Sequence, residues 1–376
     1  MTSRAHAIFV INLLQDVSVL RPLAFMAARD FGFSTEFLVV DLFSKRDVSG
    51  TWRRELDEIA TTVGAAILPY DNELDAWRHL QGKGGLLFAG SESNLAAHAA
   101  THRLFRAAPP SFITIALQHG FESVGLLQSR EHDLAHGREV AFAADVVCVW
   151  CDDARLTSLA PSQRSKLHVT GPAALLQTRP RAKSRGSRGL VCENLHSVRF
   201  NGAHDLKPEF LAVFSEFCSV LLQENREVVL RPHPGGQWVE KNRIDLPKNV
   251  TVNNNPIYKV DLSRYAYGVS APSSILIDMV LADIPAAVWC GSASAGVIDA
   301  GNYRGLTEIS SLSDWLDFSR EATAHPDRFL EGQKTFLEQQ KMPLDPADVY
   351  RRYAALFLAA ARRANEPSQW AGAAVP

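Results

Sequence analysis

The sequence of 376 residues lacks several features that would place it in a specialised class of protein. No apolar run approaches the ~20 residues that a helix needs to span a bilayer. The N-terminal segment has only a short apolar stretch followed by an acid, which predicts a first strand rather than a signal peptide. Glycine and proline number only 23 and 19, which excludes collagen-like and low-complexity chains. With 46% hydrophobic and 21% charged residues, these absences predict a globular protein of the cytoplasm.

Cysteines, metal-binding motifs and excess charge are also scarce. Five cysteines do not make a disulfide framework, and the one C-x-x-C, Cys148 and Cys151, has no second pair to complete a zinc site. Neither a D-x-D pair nor a Walker A loop is present. A net charge of −2 provides no overall field for nucleic acid. The sequence therefore predicts no metal, no cofactor and no nucleic-acid partner.

Short apolar runs alternate with segments of helical period along the chain, which is typical of parallel sheets covered on both faces. The predicted strands are Ala7–Leu14, Phe37–Leu42, Ala65–Leu68, Gly85–Ala89, Phe112–Leu117, Ala144–Trp150, Lys166–Val169, Leu190–Cys192, Glu227–Leu230, Tyr265–Ala271 and Pro285–Trp289. The predicted helices are Pro22–Phe31, Leu206–Leu222, Ser273–Leu281 and Ala347–Ala364.

A change of composition divides the chain. Residues 179–188 carry five basic residues with proline, glycine and serine and have no apolar periodicity, which indicates an interdomain linker. A surface for anionic acceptors or membranes is the alternative. We therefore expect two α/β domains, 1–178 and 189–345, followed by a C-terminal helix at 346–366 and a disordered tail at 367–376.

The segment VVLRPHPGGQW contains the most informative motif. A predicted strand ends at Leu230 and is followed by Arg231, His233 and Pro234 in a turn that two glycines permit. Ligands of open α/β sheets collect at the carboxyl ends of strands. A forked guanidinium and a protonated imidazole held there could bind a phosphate.

A second anion-suited motif follows the strand Tyr265–Ala271. Pro272, Ser273 and Ser274 open a predicted helix, and Asp278 lies four residues after Ser274 on the same face. Unpaired backbone N–H groups and two hydroxyls at a helix start could bind a phosphate or carboxylate. Good helix capping is the structural alternative.

Two further polar segments follow strands of the predicted sheets. The first contains Gln118, His119 and Glu122, of which the last two could transfer a proton. The second contains Glu193 and His196, which follow the first strand of the second domain.

Weaker candidates complete the set of loops that could line a cleft. They are Gly171, after the last strand of the first half, and Asp16, after the first strand.

Two α/β halves with R-P-H-P after one strand and P-S-S-x-x-x-D on the next helix resemble bacterial GT-B glycosyltransferases, in which two Rossmann-like domains face each other across a cleft. More narrowly, the pattern is similar to the capsule and lipopolysaccharide group that uses CMP-activated sugars: sialyltransferases, polysialyltransferases and Kdo transferases. This resemblance implies that the second domain binds the nucleotide sugar. The implied nucleotide-binding residues are His233, Pro234, Ser273 and Ser274, with Arg231 beside them. Gly171, in a loop that could line the cleft, is a further nucleotide-binding candidate.

The Q-H-G-x-E loop and a carboxylate that opens the second domain look most like the retaining β-Kdo transferases, in which a carboxylate is believed to take the sugar as a covalent adduct. That likeness implies catalytic roles for Glu122, Glu193 and His119. Gln118, His196 and Asp16 would contact substrate. It also implies a polysaccharide or glycolipid acceptor and work in the cytoplasm, with attachment to the inner membrane surface as an option.

Several alternatives stay open at this stage. An inverting, sialyltransferase-like enzyme would need only one base, Glu122 or His119. A CDP-glycerol-type polyol-phosphate transferase has similar histidine and serine signatures. A sugar-nucleotide epimerase and a non-catalytic binding subunit are the remaining hypotheses.

Overall fold

The computed structural model describes residues 5–128, 133, 135–177, 186–194, 206–291 and 301–365. Within them the chain forms two Rossmann-like α/β domains whose sheets face each other across a cleft. The predicted tail 367–376, His196 and residues 179–185 of the predicted linker lie outside the described residues.

The described part of the first domain is built on a parallel sheet of seven strands in the order β3-β2-β1-β4-β5-β6-β7. The strands are β1 His6–Ile11, β2 Ser34–Val40, β3 Ala66–Tyr70, β4 Gly85–Ala89, β5 Phe112–Leu117, β6 Val146–Val149 and β7 Leu167–Val169. The central strands β1, β4 and β5 are buried along nearly their whole length, which explains why their sequences are continuous apolar runs rather than alternating ones.

The second domain repeats this plan with six described strands in the order β10-β9-β8-β11-β12-β13, all parallel. They are β8 Arg188–Glu193, β9 Val228–Pro232, β10 Val250–Val252, β11 Tyr265–Ser270, β12 Ala286–Trp289 and β13 Thr307–Ile309. The strand order reverses between β1 and β4 in the first sheet and between β8 and β11 in the second. Such reversals open a crevice at the carboxyl ends of the strands, where ligands of this architecture bind.

Helices cover both sheets. Those of the first domain are α1 Leu14–Phe25, which continues as a wider π turn over Met26–Asp30, α2 Leu42–Arg46, α3 Thr51–Val63, α4 Glu73–Leu80 and α5 Ala99–Ala107. Those that follow the second sheet's strands are α6 Lys207–Gln223, α7 Trp238–Lys241, α8 Ile275–Leu281, α9 Leu312–Ala324, α10 Asp327–Gln340 and α11 Pro346–Asn365. None of the helices in the described ranges is both long and apolar enough to cross a membrane.

The last helix, α11, returns to the first domain. The ring of Phe357 stacks on Phe31 with centroids 4.8 Å apart and lies 5.6 Å from Phe88 of β4. The hydroxyl of Tyr353 accepts a hydrogen bond from Thr170 Oγ1 at 3.0 Å. The first domain is therefore completed by residues that follow the whole second sheet in the sequence.

The predicted and observed elements differ most at the end of β1. The predicted strand Ala7–Leu14 stops at Ile11, and α1 begins at Leu14 rather than at Pro22. Asp16 causes this early start, because its carboxylate accepts hydrogen bonds from the backbone N–H groups of Asn12 and Leu13. In the second sheet, β10 and β13, each of three residues, were not predicted.

Candidate functional site

A cavity of about 620 Å³ lies between the domains. It is lined by loops that follow β4, β5, β8, β9 and β11, so it joins the crevices of both sheets. Its volume falls in the range of small-molecule sites, about 300–1,000 Å³. Of the predicted site residues, the cavity wall contains Gln118, His119, Glu122, Glu193, Arg231, His233, Pro234, Ser273 and Ser274.

The loop after β9 contributes a cation and an imidazole. Arg231 is only 7% exposed, and its Nη1 donates to the carbonyl oxygen of Asn255 at 2.5 Å. Burial lowers the pKa of Arg231, an effect that the nearby Cys192 and Asp278 oppose. A guanidinium has five N–H donors, so others remain for an anion in the cavity.

The ring of His233 is bonded to the backbone of its own loop. Its Nδ1 accepts a hydrogen bond from the backbone N–H of Gly235 at 3.1 Å. A ring protonated at Nδ1 would have to give up this bond. The protonated imidazole expected from the sequence stays a prediction.

The serine turn after β11 differs from the predicted helix start. Helix α8 begins at Ile275, so Ser273 and Ser274 precede it instead of forming its first turn. The Oγ of Ser274 accepts a hydrogen bond from the backbone N–H of Phe121 in the other domain, at 2.7 Å. Among the described residues, the backbone N–H groups of Ser273 and Ser274 have no hydrogen-bond acceptor, and both residues line the cavity.

Glu193 lines the cavity, but both oxygens of its carboxylate are bonded to the fold. It is 1% exposed, and its Oε1 and Oε2 accept the backbone N–H groups of Trp238 and Val239 at 2.6 and 3.0 Å. Burial raises the pKa of Glu193, and the two backbone hydrogen bonds oppose this rise. Both oxygens therefore fix the start of α7 behind the His233 loop. This geometry does not favour the predicted nucleophile.

Gln118 is also used internally. Its Nε2 donates to the carbonyl oxygens of Gly120 and Phe121 at 3.0 and 2.9 Å, and its Oε1 accepts from the backbone N–H of Trp150 at 2.8 Å. The side chain, predicted to contact substrate, instead shapes the loop that carries His119 and Glu122.

His119 and Glu122 reach the cavity from that loop. Burial lowers the pKa of His119, while a hydrogen bond to the backbone of Gly90 favours the protonated ring. The Oε1 of Glu122 accepts a hydrogen bond from Nδ2 of Asn302 at 2.8 Å, a second direct contact between the domains. The two predicted proton-transfer groups thus differ in their hydrogen-bond partners. The carboxylate of Glu122 is anchored by an amide of the opposite domain, whereas His119 is bonded to the backbone of Gly90 in its own domain.

His98 is a cavity residue that sequence reasoning missed. Its Nδ1 lies 2.7 Å from Oγ of Ser93, and its ring meets that of His119 edge to face with centroids 6.0 Å apart. Burial, reinforced by the neighbouring His119, lowers the pKa of His98 to about 3. It lies in an alanine-rich segment whose sequence contains no motif, so only the fold reveals it.

Asp16 and Gly171 do not line the cavity. The Oδ2 of Asp16 accepts hydrogen bonds from Asn12, Leu13 and, at 2.8 Å, Oγ of Ser91, and burial raises its pKa to about 6. Gly171 adopts φ +76°, and a Cβ there would lie 2.5 Å from the carbonyl oxygen of Pro343. Asp16 therefore supports the end of β1, and Gly171 makes room for the segment that precedes α11.

No three His, Cys, Asp or Glu side chains in the described ranges come together as a metal site would require. The absence of a metal requirement stays a prediction.

Comparisons with known proteins bear on the fold. No protein-family model and no curated protein sequence matches this chain. A structure of UDP-GlcNAc 2-epimerase from Neisseria meningitidis bound to UDP-GlcNAc is 9% identical, with a TM-score of 0.55 and coverage of 94% of this chain and 100% of the other. The calicheamicin glycosyltransferase CalG4 is 13% identical, with a TM-score of 0.53 and coverage of 95% and 99%. The glycotransferase of kitacinnamycin is 14% identical, with a TM-score of 0.52 and coverage of 94% and 100%.

At these identities the likeness establishes the architecture alone. The chain has the GT-B fold, as the sequence analysis predicted. None of the three names mentions a CMP-activated sugar or Kdo. The narrower resemblance to Kdo transferases stays a prediction.

Proposed function

We propose that this chain is a glycosyltransferase that moves a sugar from a nucleotide-activated donor to an acceptor hydroxyl. One observation carries the proposal: the Arg231–Pro234 loop and the Ser273–Ser274 turn of the second domain line the same cavity as His119 of the first. Groups suited to an anion and a candidate base therefore line one cavity. The second domain would bind the donor, and the first would present the acceptor.

A CMP-activated sugar, with CMP-Kdo as its leading member, is the donor that we propose. The single phosphate of such a donor gains negative charge when CMP leaves. The guanidinium of Arg231 and the backbone N–H groups of the serine turn offer one positive charge and neutral donors for it, and the imidazole of His233 lies in the same loop as Arg231. Donors fixed in advance at a developing charge are an effective means of stabilising a transition state.

His119 is the base that the geometry favours. Burial keeps its ring neutral near pH 7, and the hydrogen bond to Gly90 uses one nitrogen and leaves the other to accept a proton. The acceptor oxygen would bond to the anomeric carbon as its proton passes to His119. The bond from that carbon to the phosphate oxygen breaks, and the electron pair leaves with CMP.

This single displacement inverts the anomeric configuration. A retaining reaction needs a carboxylate nucleophile. Since both oxygens of Glu193 already accept backbone N–H groups, a covalent adduct on Glu193 is the less supported route. Glu122, anchored by Asn302, would position the loop beside His119.

A sugar-nucleotide epimerase is the second candidate, because UDP-GlcNAc 2-epimerase has the same architecture. Such an enzyme would use the same phosphate-binding loops and would turn over its substrate without any acceptor. A CDP-glycerol-type transferase would also release CMP, but its product would gain a glycerol phosphate.

Calorimetric titration with CMP, UDP and CDP tests the donor class, and CMP is expected to bind most tightly. Incubation with CMP-Kdo and hydroxylated acceptors, followed by mass spectrometry, then tests transfer. Acceptor-free conversion of a UDP-sugar would establish the epimerase instead. If no nucleotide binds and no product forms, the glycosyltransferase proposal is wrong.

A further inference from the structure

Strand β8 lies between β9 and β11 in the second sheet, so its carboxyl end is flanked by the two loops that are suited to an anion. Two consecutive residues, Glu193 and Asn194, stand at this end. Both are buried, with exposed fractions of 1% and 5%, and both line the cavity. The end of β8 is therefore placed to contact the loop on either side.

Glu193 is bonded to the β9 side. Its two carboxylate oxygens accept the backbone N–H groups of Trp238 and Val239 at the start of α7. The loop that contains His233 ends at this point, so Glu193 fixes where that loop returns to the sheet.

Asn194 is bonded to the β11 side. Its Nδ2 donates a hydrogen bond to the carbonyl oxygen of Pro272 at 2.5 Å. Pro272 is buried and immediately precedes the two serines of the turn. It lies 78 positions after Asn194 in the chain, so the sequence analysis did not identify Asn194.

The bond from Asn194 fixes the orientation of a whole peptide group. The peptide between Pro272 and Ser273 is trans and planar, so its C=O and N–H point in opposite directions. Because the carbonyl oxygen is bonded to Asn194 at the end of β8, the N–H of Ser273 points away from β8. Rotation of this peptide group would break the bond to Asn194.

We propose that Asn194 is a positioning residue for the donor phosphate: it fixes the direction of the Ser273 N–H, while Glu193 fixes the loop after β9. The proposal rests on the proposed function, in which both loops bind the phosphate. Asn194 acts through the backbone of the serine turn and not on the reacting atoms. Two adjacent residues of one strand thereby set the spacing of the two loops, and donors held in advance bind a developing charge most effectively.

Binding of CMP and of cytidine, which lacks the phosphate, tests the proposal. Asn194→Leu keeps the branching of the side chain and removes the donor to Pro272. In calorimetric titrations we expect the affinity for CMP to fall at least about tenfold, or about 1.4 kcal/mol, and that for cytidine to stay within about twofold. A role in packing alone would change both affinities alike. Equal losses for the two ligands, or no loss for either, would overturn the proposal.

Asn249→Leu is the matched control. Asn249 is also a buried asparagine of the second domain, and its Nδ2 donates to the backbone carbonyls of Cys218 and Arg226. It lies outside the cavity. This variant should lower the stability of the protein but leave both affinities within about twofold.

Hydrogen exchange at the Phe121 amide tests the positioning without any nucleotide. This N–H donates to the Oγ of Ser274 in the serine turn. If Asn194 fixes the turn, Asn194→Leu should accelerate exchange at Phe121 by about tenfold or more relative to Asn249→Leu. Exchange equal in the two variants would overturn the positioning role.

The two proposals fail separately. If the protein prefers UDP to CMP, UDP and uridine take the place of CMP and cytidine, because Asn194 is proposed to act on the phosphate and not on the base. Accelerated exchange at Phe121 in a protein that binds no nucleotide would contradict the proposed function and would retain Asn194 as the residue that fixes the turn.

Discussion

The backbone N–H of Phe121 donates a hydrogen bond to the Oγ of Ser274 at 2.7 Å, and this bond joins the two domains at the edge of the cavity. The neighbouring Gly120 lies so close that a Cβ there would be 2.8 Å from the same Oγ. The loop that carries the candidate base and the turn predicted to bind phosphate are therefore in direct contact. Gly120 and Ser274 form this contact, and Asn302 adds a second one through Glu122.

Replacing Ser274 with alanine should loosen this contact. Phe121 is buried, so its N–H would lose its partner away from water, at a cost of about 1–3 kcal/mol. We expect faster hydrogen exchange at the Phe121 amide and a higher KM for the donor. Ser111→Ala, at an exposed serine of the first domain, is the control. Unchanged exchange at Phe121 would show that the bond does not hold the domains together.

Removal of the His233 imidazole should weaken nucleotide binding. If Nε2–H donates to a phosphate, His233→Ala removes a hydrogen bond to a charged group, worth about 1.5–3 kcal/mol. CMP affinity measured by calorimetry should therefore fall about 10- to 100-fold. His325→Ala, at an exposed histidine after α9, should have no effect. An affinity within about twofold of the original protein would exclude the phosphate role.

The substitution Glu193→Gln distinguishes a structural role of this carboxylate from a role as nucleophile. A glutamine can accept only one of the two backbone N–H groups, since its amide nitrogen would face the other donor. We expect a free energy of unfolding lower by about 1–3 kcal/mol and a higher KM for the donor. The original protein, incubated with donor alone, should show no mass adduct. Accumulation of an adduct that Glu193→Gln abolishes would instead restore the retaining mechanism.

The activity should depend on pH through His119. Burial lowers the pKa of its ring, so the neutral base should persist below the ordinary value of about 6.5. The acid limb of the kcat/KM profile is therefore expected to have its midpoint below about pH 6.5. His119→Asn should reduce kcat by about 100-fold or more and leave CMP affinity unchanged. His79→Asn on α4 is the control; loss of CMP binding in His119→Asn would indicate a structural role.

Asp16 should make stability fall as pH rises. Its pKa is raised from 3.8 to about 6 by burial, so the folded protein keeps a proton that the unfolded chain has released. The free energy of unfolding should decrease between about pH 4 and pH 6, by about 3 kcal/mol for this group alone.

Asp16→Asn tests that dependence. The asparagine oxygen can still accept from Asn12, Leu13 and Ser91, but the residue does not titrate. Relative to the original protein, the variant should gain stability from about pH 4 to pH 7 in urea unfolding. Asp71→Asn, at an exposed site, should show no such gain. A constant difference across this range would contradict the raised pKa.

The fold could be predicted because parallel strands buried on both faces require continuous apolar runs. β1, β4 and β5 are such runs, and the predicted two-domain α/β architecture is confirmed. The strands β10 and β13 were not predicted, because they lie at the two edges of the second sheet and have only one buried residue between them, so neither forms a continuous apolar run.

The roles of individual polar residues could not be predicted in the same way. An acid after a strand can face a ligand or cap a helix, and both outcomes look alike in the sequence. Asp16 is committed to the fold by Ser91, which lies 75 positions later, and Glu193 by Trp238, 45 positions later. Only the placement of β4 beside β1, and of β9 beside β8, brings these partners together.

The return of α11 to the first sheet has a consequence for biosynthesis. As the chain leaves the ribosome, the strands of the first sheet emerge first, yet Phe31, Phe33 and Phe88 await Phe357, which follows the entire second sheet. Nascent chains therefore carry this aromatic cluster without its Phe357 cover through most of translation. A circular permutant that places residues 346–365 ahead of β1 would close this cluster early and should accumulate with less aggregation.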